Sequence, residues 1–125
     1  MAVPILKQGQ FLIASIQAAL TDTDVLQLRD DVMSQVTRHR SRGIIVDVTA
    51  LDVMDSFVSR SLQGIARMTR LRGAETVIVG IQPEVAFAMV QLGMNFEDVH
   101  TALDLEEGLA FLQDKLTGEP GAGGG

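Results

Sequence analysis

The stretch MDSFVSRSL, from Met54 to Leu62, brings together one carboxylate, three hydroxyls and one guanidinium. It follows an apolar run, GIIVDV, and opens a segment whose apolar residues recur at helical spacing. These side chains give Ser56 three candidate roles. It could be a nucleophile, the N-cap of a helix, or the substrate of another protein's chemistry.

A serine nucleophile needs a base beside it and a third group that orients the base. The sharp turn that presents such a serine in many hydrolases reads G-x-S-x-G, but this chain has Met54 and Val58 at the glycine positions. Of the two histidines, we expect His39 to be a solvated cation at a basic helix end. We expect His100 to lie near a short strand and to be partly buried. A serine hydrolase is therefore disfavoured.

Other catalytic chemistry has little support in the residue types. The chain has no cysteine, which removes disulfides, thiolate metal sites and cysteine nucleophiles, and is typical of a reducing cytoplasm. No metal-ligand spacing and no glycine-rich phosphate loop is found. Asp52 and Asp55 lie close together, but a surface turn explains them. We expect no cofactor and no metal.

Charge and hydropathy restrict the partners. The formal net charge is −6, which argues against nucleic acid and against an anionic membrane surface. No apolar run approaches the ~18 residues of a membrane span, and the opening MAVPILKQGQ lacks the features of a signal peptide. We therefore expect a cytoplasmic protein that binds neither nucleic acid nor membrane.

Periodicity predicts one α/β domain over residues 1–117, followed by a disordered glycine-rich tail at 118–125. The sheet is mixed, with a parallel centre and an antiparallel opening hairpin, and the helices pack on it. Pro4 favours an edge position for the first strand. The predicted order is β-β-α-β-α-β-α-β-α, with strands at 3–7, 11–16, 43–48, 76–81 and 99–103, and helices beginning near 22, 56, 83 and 105.

Each helix carries an apolar stripe that should face the sheet. From the first helix to the last, the predicted core residues are Val25, Leu28, Val32 and Val36; Val58, Leu62, Ile65 and Ala66; Val85, Ala86, Met89 and Val90; and Leu105, Leu109 and Leu112.

At the start of the second helix, the spacing favours Ser56 or Asp55 as the N-cap, a role that contributes about 1 kcal/mol. A capping hydroxyl lies at the surface, where a kinase can reach it. A phosphoryl group there adds about −1.5 to −2 charges at pH 7. The helix amides would tolerate that charge, whereas Asp52 and Asp55 would oppose it. We therefore expect no large refolding.

Four arginines follow along the same helix and its end, and two interpretations of them remain open. They could form a docking surface, or they could be an ordinary solvated helix face. The four are Arg60, Arg67, Arg70 and Arg72.

Several strings resemble a known family. PILK, LIASIQ, GIIVDVTALDVMDSF, GIQPEVA and TALDLEEGL together cover nearly the whole chain apart from its tail. They are similar to the STAS family, the sulfate transporter and anti-sigma factor antagonist domains. Within that family they resemble the RsbS-type scaffolds of the bacterial stressosome. Phe57 and Val58 stand where many relatives have a small residue, which is typical of the stressosome branch.

The resemblance implies a binding module that is not an enzyme. Such proteins assemble with RsbR-type paralogues, associate with themselves in a large hetero-oligomer, and hold an RsbT-type serine/threonine kinase. The kinase phosphorylates the serine of the DS motif, which is Ser56 here, while Ser59 and Ser61 lie beyond the motif position. Asp55, Phe57 and Arg60 are the implied partner contacts. The alternative role is that of an anti-sigma factor antagonist that binds an anti-sigma kinase.

Overall fold

The computed structural model describes residues 3–93 and 99–118. Within these residues the chain forms one five-stranded sheet and four helices, so the predicted order of elements is confirmed. The elements are β1 (Ile5–Gln8), β2 (Phe11–Ser15), α1 (Asp22–His39), β3 (Gly43–Asp47), α2 (Ser56–Leu71), β4 (Glu75–Val79), α3 (Pro83–Gln91), β5 (His100–Ala102) and α4 (Leu105–Thr117).

The strands lie in the sheet in the order in which they occur along the chain, β1-β2-β3-β4-β5. β1 and β2 are antiparallel, and each later neighbour is parallel to the one before. β1 occupies an edge, as Pro4 predicted. The register aligns the last residues of β2, β3 and β4, since Ser15 pairs with Asp47 and Asp47 pairs with Val79. The parallel strands therefore end together at one edge of the sheet.

The two faces of the sheet carry different helices. Side chains of α1, α2 and α3 join Ile44 and Ile78 in one apolar cluster, whereas α4 packs on the other face against Ile45 and Val77. Successive strand residues point to opposite faces, so β3 and β4 are buried on both sides. Gly108 lets α4 approach closely, because a Cβ at this position would lie 2.8 Å from the Val79 Cγ1 atom.

The apolar stripes of α1 and α2 are buried as predicted. In α3, however, only Val85 and Met89 are buried, while Ala86 is exposed and Val90 is 73% exposed. The prediction for Ala86 and Val90 is therefore wrong. The two residues lie one turn apart on a neighbouring stripe of the same short helix, and α3 buries only the narrower stripe of Val85 and Met89.

The predicted glycine-rich tail follows α4. Gly118 is the C-cap of α4, and the rest of the predicted tail lies outside the described residues, so the domain bounds 1–117 and 118–125 stay a prediction. Among the described helices, none is both long and apolar enough to cross a bilayer.

We predict that Leu28→Ala lowers the free energy of unfolding by about 2–5 kcal/mol, because Leu28 is 1% exposed and its loss leaves a cavity under α1. The matched control is Leu26→Ala in the same helix, where the side chain is 42% exposed. It should change stability by less than about 1 kcal/mol. Urea denaturation of both variants measures the difference, and equal losses would contradict the assigned helix face.

Candidate functional site

The segment between β3 and α2 is anchored by two buried apolar side chains. Leu51 and Met54 are each 4% exposed. The backbone N–H of Leu51 donates to the carbonyl oxygen of Val48 at 2.9 Å, and the N–H of Val48 donates to that of Val79 at 3.0 Å. These contacts fix the start of α2 relative to the carboxyl edge of the sheet.

Thr49 forms a second attachment for the same segment. A carboxylate oxygen of Asp47 accepts from the Thr49 N–H at 2.9 Å and from its hydroxyl at 2.6 Å. The Gln82 side-chain amide donates to the Thr49 carbonyl oxygen at 2.7 Å, which ties α3 to this segment. Gly80 has a φ of 80°, and a Cβ there would collide with the Thr49 hydroxyl. Glycine is therefore required where β4 ends.

Asp55 is the N-cap of α2, which answers the question that the sequence left open between Asp55 and Ser56. Its carboxylate Oδ1 accepts from the backbone N–H of Val58 at 2.8 Å, and its carbonyl oxygen accepts from the N–H of Ser59 at 3.0 Å. Ser56 is thus the first residue of the helix, and its hydroxyl is not needed to cap it.

The predicted site residues lie together at this end of α2. Ser56 is half-buried, Asp55 and Arg60 are exposed, and Phe57 is 38% exposed. Ser56 is thus less exposed than the surface position that the sequence predicted. The preceding Val53 is 72% exposed. The site is therefore a surface with a partly exposed serine, an aromatic ring and an exposed apolar side chain.

The other two serines of the stretch are placed differently. Ser59 is fully buried, and within the described part of the chain its hydroxyl oxygen has no hydrogen-bond partner. Ser61 is half-buried. Sequence reasoning missed the burial of Ser59, although its position between Val58 and Leu62 on the apolar stripe could have indicated it.

The histidines lie away from this site. His39 is exposed at the end of α1, at the edge of the sheet opposite Ser56, whereas His100 pairs with Val77 in the middle of β4, two strands away from β3. His100 is exposed and its ring centroid is 4.1 Å from that of Phe111, so the prediction that it is partly buried is wrong. β5 is an edge strand, and its first residue is covered on one side only. Neither histidine is positioned to activate Ser56.

Carboxylates carry most of the charge around Ser56, and Arg60 is a cation one turn away. Asp52, Asp55 and Glu84 are all exposed near the starts of α2 and α3. Across residues 3–93 and 99–118, no group of three or more acidic or histidine side chains is arranged to hold a metal ion. The acids instead give this edge a negative surface beside the positive ends of the helix dipoles.

The four arginines of α2 and its end do not form one surface around Ser56. Arg60 lies one turn from Ser56, whereas Arg72 lies about 18 Å further along the helix axis. The Arg70 guanidinium is 3.8 Å from the Glu75 carboxylate, and that of Arg72 donates to the Thr37 hydroxyl at 3.5 Å. Of the four, only Arg60 is close enough to contribute to a partner surface at Ser56.

The sequence model of the STAS-domain family matches residues 2–108. This chain therefore belongs to the STAS-domain family. The resemblance inferred from the sequence motifs is thereby confirmed.

Solved structures that are similar to this chain include an RsbS protein and a chain of the stressosome. A serine-to-glutamate variant of RsbS from Moorella thermoacetica shares 34% identity, covers 91% of this chain and 97% of its own, and superposes with a TM-score of 0.81. A chain from a structure of the stressosome, described as a signal integration and transduction hub, shares 34% identity with a TM-score of 0.79, covering 90% of this chain and 98% of its own.

Among curated relatives, the RsbT co-antagonist protein RsbRA of Bacillus subtilis is 30% identical over 83 residues. The match covers 66% of this chain and 30% of RsbRA. The chain therefore spans about 30% of the length of the RsbR-type relatives that it matches.

We predict that Asp55→Ala destabilises the fold by about 1 kcal/mol, because the Val58 N–H loses its cap. The control is Asp55→Asn, whose side-chain oxygen can still accept this hydrogen bond and which should keep most of the stability. Thermal unfolding followed by circular dichroism compares the variants. If Asp55→Asn is destabilised as much as Asp55→Ala, the capping role is wrong.

Proposed function

We propose that this protein is a phosphoregulated scaffold of a bacterial stressosome that binds a serine/threonine kinase of the RsbT type and is phosphorylated on Ser56. One observation carries the proposal. A partly accessible serine begins a helix that is capped and anchored independently of it, in a chain 34% identical to RsbS over 91% of its length.

The anchors explain why phosphorylation can act without unfolding the domain. Leu51 and Met54 are held in the core, and Asp55 caps α2 without help from the Ser56 hydroxyl. A phosphoryl group on the first residue of a helix meets favourable N–H groups and the positive end of the dipole. The nearby carboxylates repel it. The added charge therefore changes the surface that a partner meets and not the packing of the core.

A kinase or paralogue that docks at this edge would contact the residues that flank Ser56. Phe57 offers an exposed aromatic ring, Arg60 offers a guanidinium, and both groups are enriched in protein interfaces. Asp55 adds a carboxylate whose position is fixed by its cap. A charge change at Ser56 would alter how well any partner fits here.

The similarity to RsbRA supports RsbR-type paralogues as the other components. In this assembly the chain acts by binding and not by catalysis. Neither histidine lies beside Ser56 to serve as its base, which supports a hydroxyl that is modified by another protein over a hydroxyl that attacks a substrate.

The alternative function is that of a simple anti-sigma factor antagonist. Light scattering separates the two, because a scaffold should form megadalton particles with an RsbR-type paralogue, whereas an antagonist should form a small complex with an anti-sigma kinase. The overall match to the stressosome chain favours the scaffold.

We predict that an RsbT-type kinase with ATP transfers one phosphoryl group to the native chain and none to Ser56→Ala. The control is Ser61→Ala, which removes another half-buried serine of α2 and should be phosphorylated normally. Mass spectrometry locates the site. Full incorporation into Ser56→Ala by an active kinase would overturn the proposal.

We further predict that Ser56→Asp keeps the fold and weakens kinase binding about tenfold or more, which corresponds to about 1.4 kcal/mol. Ser56→Asn is the matched control, since it has nearly the same size without the charge. Circular dichroism tests the fold and calorimetric titration measures the affinity. Equal affinities for Ser56→Asp and Ser56→Asn would show that charge does not control docking.

A further inference from the structure

Among the described residues, most exposed arginines and carboxylates lie at different edges of the sheet, although Glu75 lies beside Arg70 at the same edge. All four helices begin at the carboxyl edge, where Ser56 lies, and α1 and α2 end at the opposite edge. Since β2, β3 and β4 are five residues long, the two edges are about 16 Å apart. We call the edge opposite Ser56 the basic pole, because it carries Arg38, Arg40, Arg42, Arg70 and Arg72.

A cavity of about 670 Å³ lies between the ends of α1 and α2 at the basic pole. Three arginines, Arg40, Arg42 and Arg72, line it, together with Ser41, a polar residue that is only 3% exposed. Guanidinium groups bind carboxylates and phosphates through paired hydrogen bonds. This lining therefore suits a partner that presents oxyanions.

Helix dipoles do not account for the whole cluster. Arg38 and Arg70 lie in the last turns of α1 and α2, where a cation offsets the negative end of a helix. Arg40 and Arg72 are the C-caps, and Arg42 lies beyond α1, held by backbone hydrogen bonds to Gln10 and Glu75. Arg42 is thus a cation beyond the helix end, and dipole compensation does not explain it.

An apolar side chain projects from the same surface. Leu71, which also lines the cavity, is 86% exposed although it is the last residue of α2. A large exposed leucine among arginines is typical of a protein interface, where an apolar contact is surrounded by polar groups. A free small anion would leave Leu71 in water.

The opposite edge has the complementary composition, and we call it the acidic pole. It carries exposed carboxylates together with two exposed apolar residues, Val53 at 72% and Leu103 at 81%. Arg60 is an exposed cation one turn into α2. The acids of the acidic pole are Asp22, Asp52, Asp55, Glu84, Asp104 and Glu106.

We propose that the basic pole of one copy of this chain docks on the acidic pole of a second copy, with arginines against carboxylates and Leu71 against Val53 or Leu103. The contact uses different surfaces on the two copies, so it is heterologous and can propagate into rings or longer assemblies. The proposal rests on the scaffold function and specifies the geometry of its self-association. It also places the self-contact at the edge that contains Ser56.

The test measures self-association by sedimentation velocity without any kinase, so its failure leaves the phosphorylation of Ser56 untouched. The native chain should form species larger than a dimer at 0.05 M salt and dissociate at 0.5 M, because screening shortens the range of charge interactions. Arg42→Glu should lower the association constant at least tenfold. The control is Arg29→Glu, which changes the net charge by the same amount. Arg29 lies within α1, away from its ends, and pairs with Asp30. This variant should assemble like the native chain.

A mixing experiment tests which surfaces meet. The chain with Glu84→Arg and Glu106→Arg should not assemble alone, but it should assemble when mixed with Arg42→Glu, because each then offers the charge that the other lacks. Circular dichroism verifies the fold of each variant. If Arg42→Glu does not fold, Arg42→Gln is tested in its place.

Three results would overturn the proposal. The native chain could be monomeric at low salt, Arg42→Glu could assemble like Arg29→Glu, or the mixture could stay dissociated. A titration with inorganic phosphate completes the test. Binding to a chain that remains monomeric would show that the cavity serves a small anion and not a second copy.

Discussion

The common direction and register of β2 to β5 is the constraint on which the rest of this structure depends. Because Ser15, Asp47 and Val79 are aligned, each following helix must begin at the same edge of the sheet. That edge collects helix N-termini, capping acids and Ser56, while the other collects the ends of α1 and α2 with their arginines. The location of the candidate site and the separation of charge both follow from one topological fact.

The site combines rigidity with limited exposure. Buried Leu51 and Met54 and the hydrogen bonds of Thr49 hold the segment before α2, so the position of Ser56 does not depend on its own hydroxyl. A charge placed there can change a docking surface while the core remains packed. This is the physical requirement for a scaffold whose partners respond to phosphorylation.

Periodicity and β-branched runs were sufficient to predict the elements and their order, because burial on one or two faces dictates those patterns. The cap of α2 could not be chosen between Asp55 and Ser56, since both residue types suit the role. The sequence did not indicate that Val90 and His100 are exposed. Their exposure follows from the narrow buried stripe of α3 and from the position of β5 at the edge of the sheet. The link from Gln82 to Thr49 and the two charged poles join residues distant in sequence, and only the fold brings them together.

The central claim is that Ser56 accepts a phosphoryl group on an otherwise unchanged domain. Amide NMR spectra of the chain before and after treatment with an RsbT-type kinase test it most directly. The account predicts large shifts for Ser56, Phe57 and Val58 at the start of α2, with the core strands β3 and β4 unmoved. Shifts spread through those strands, or centred on another serine, would contradict it.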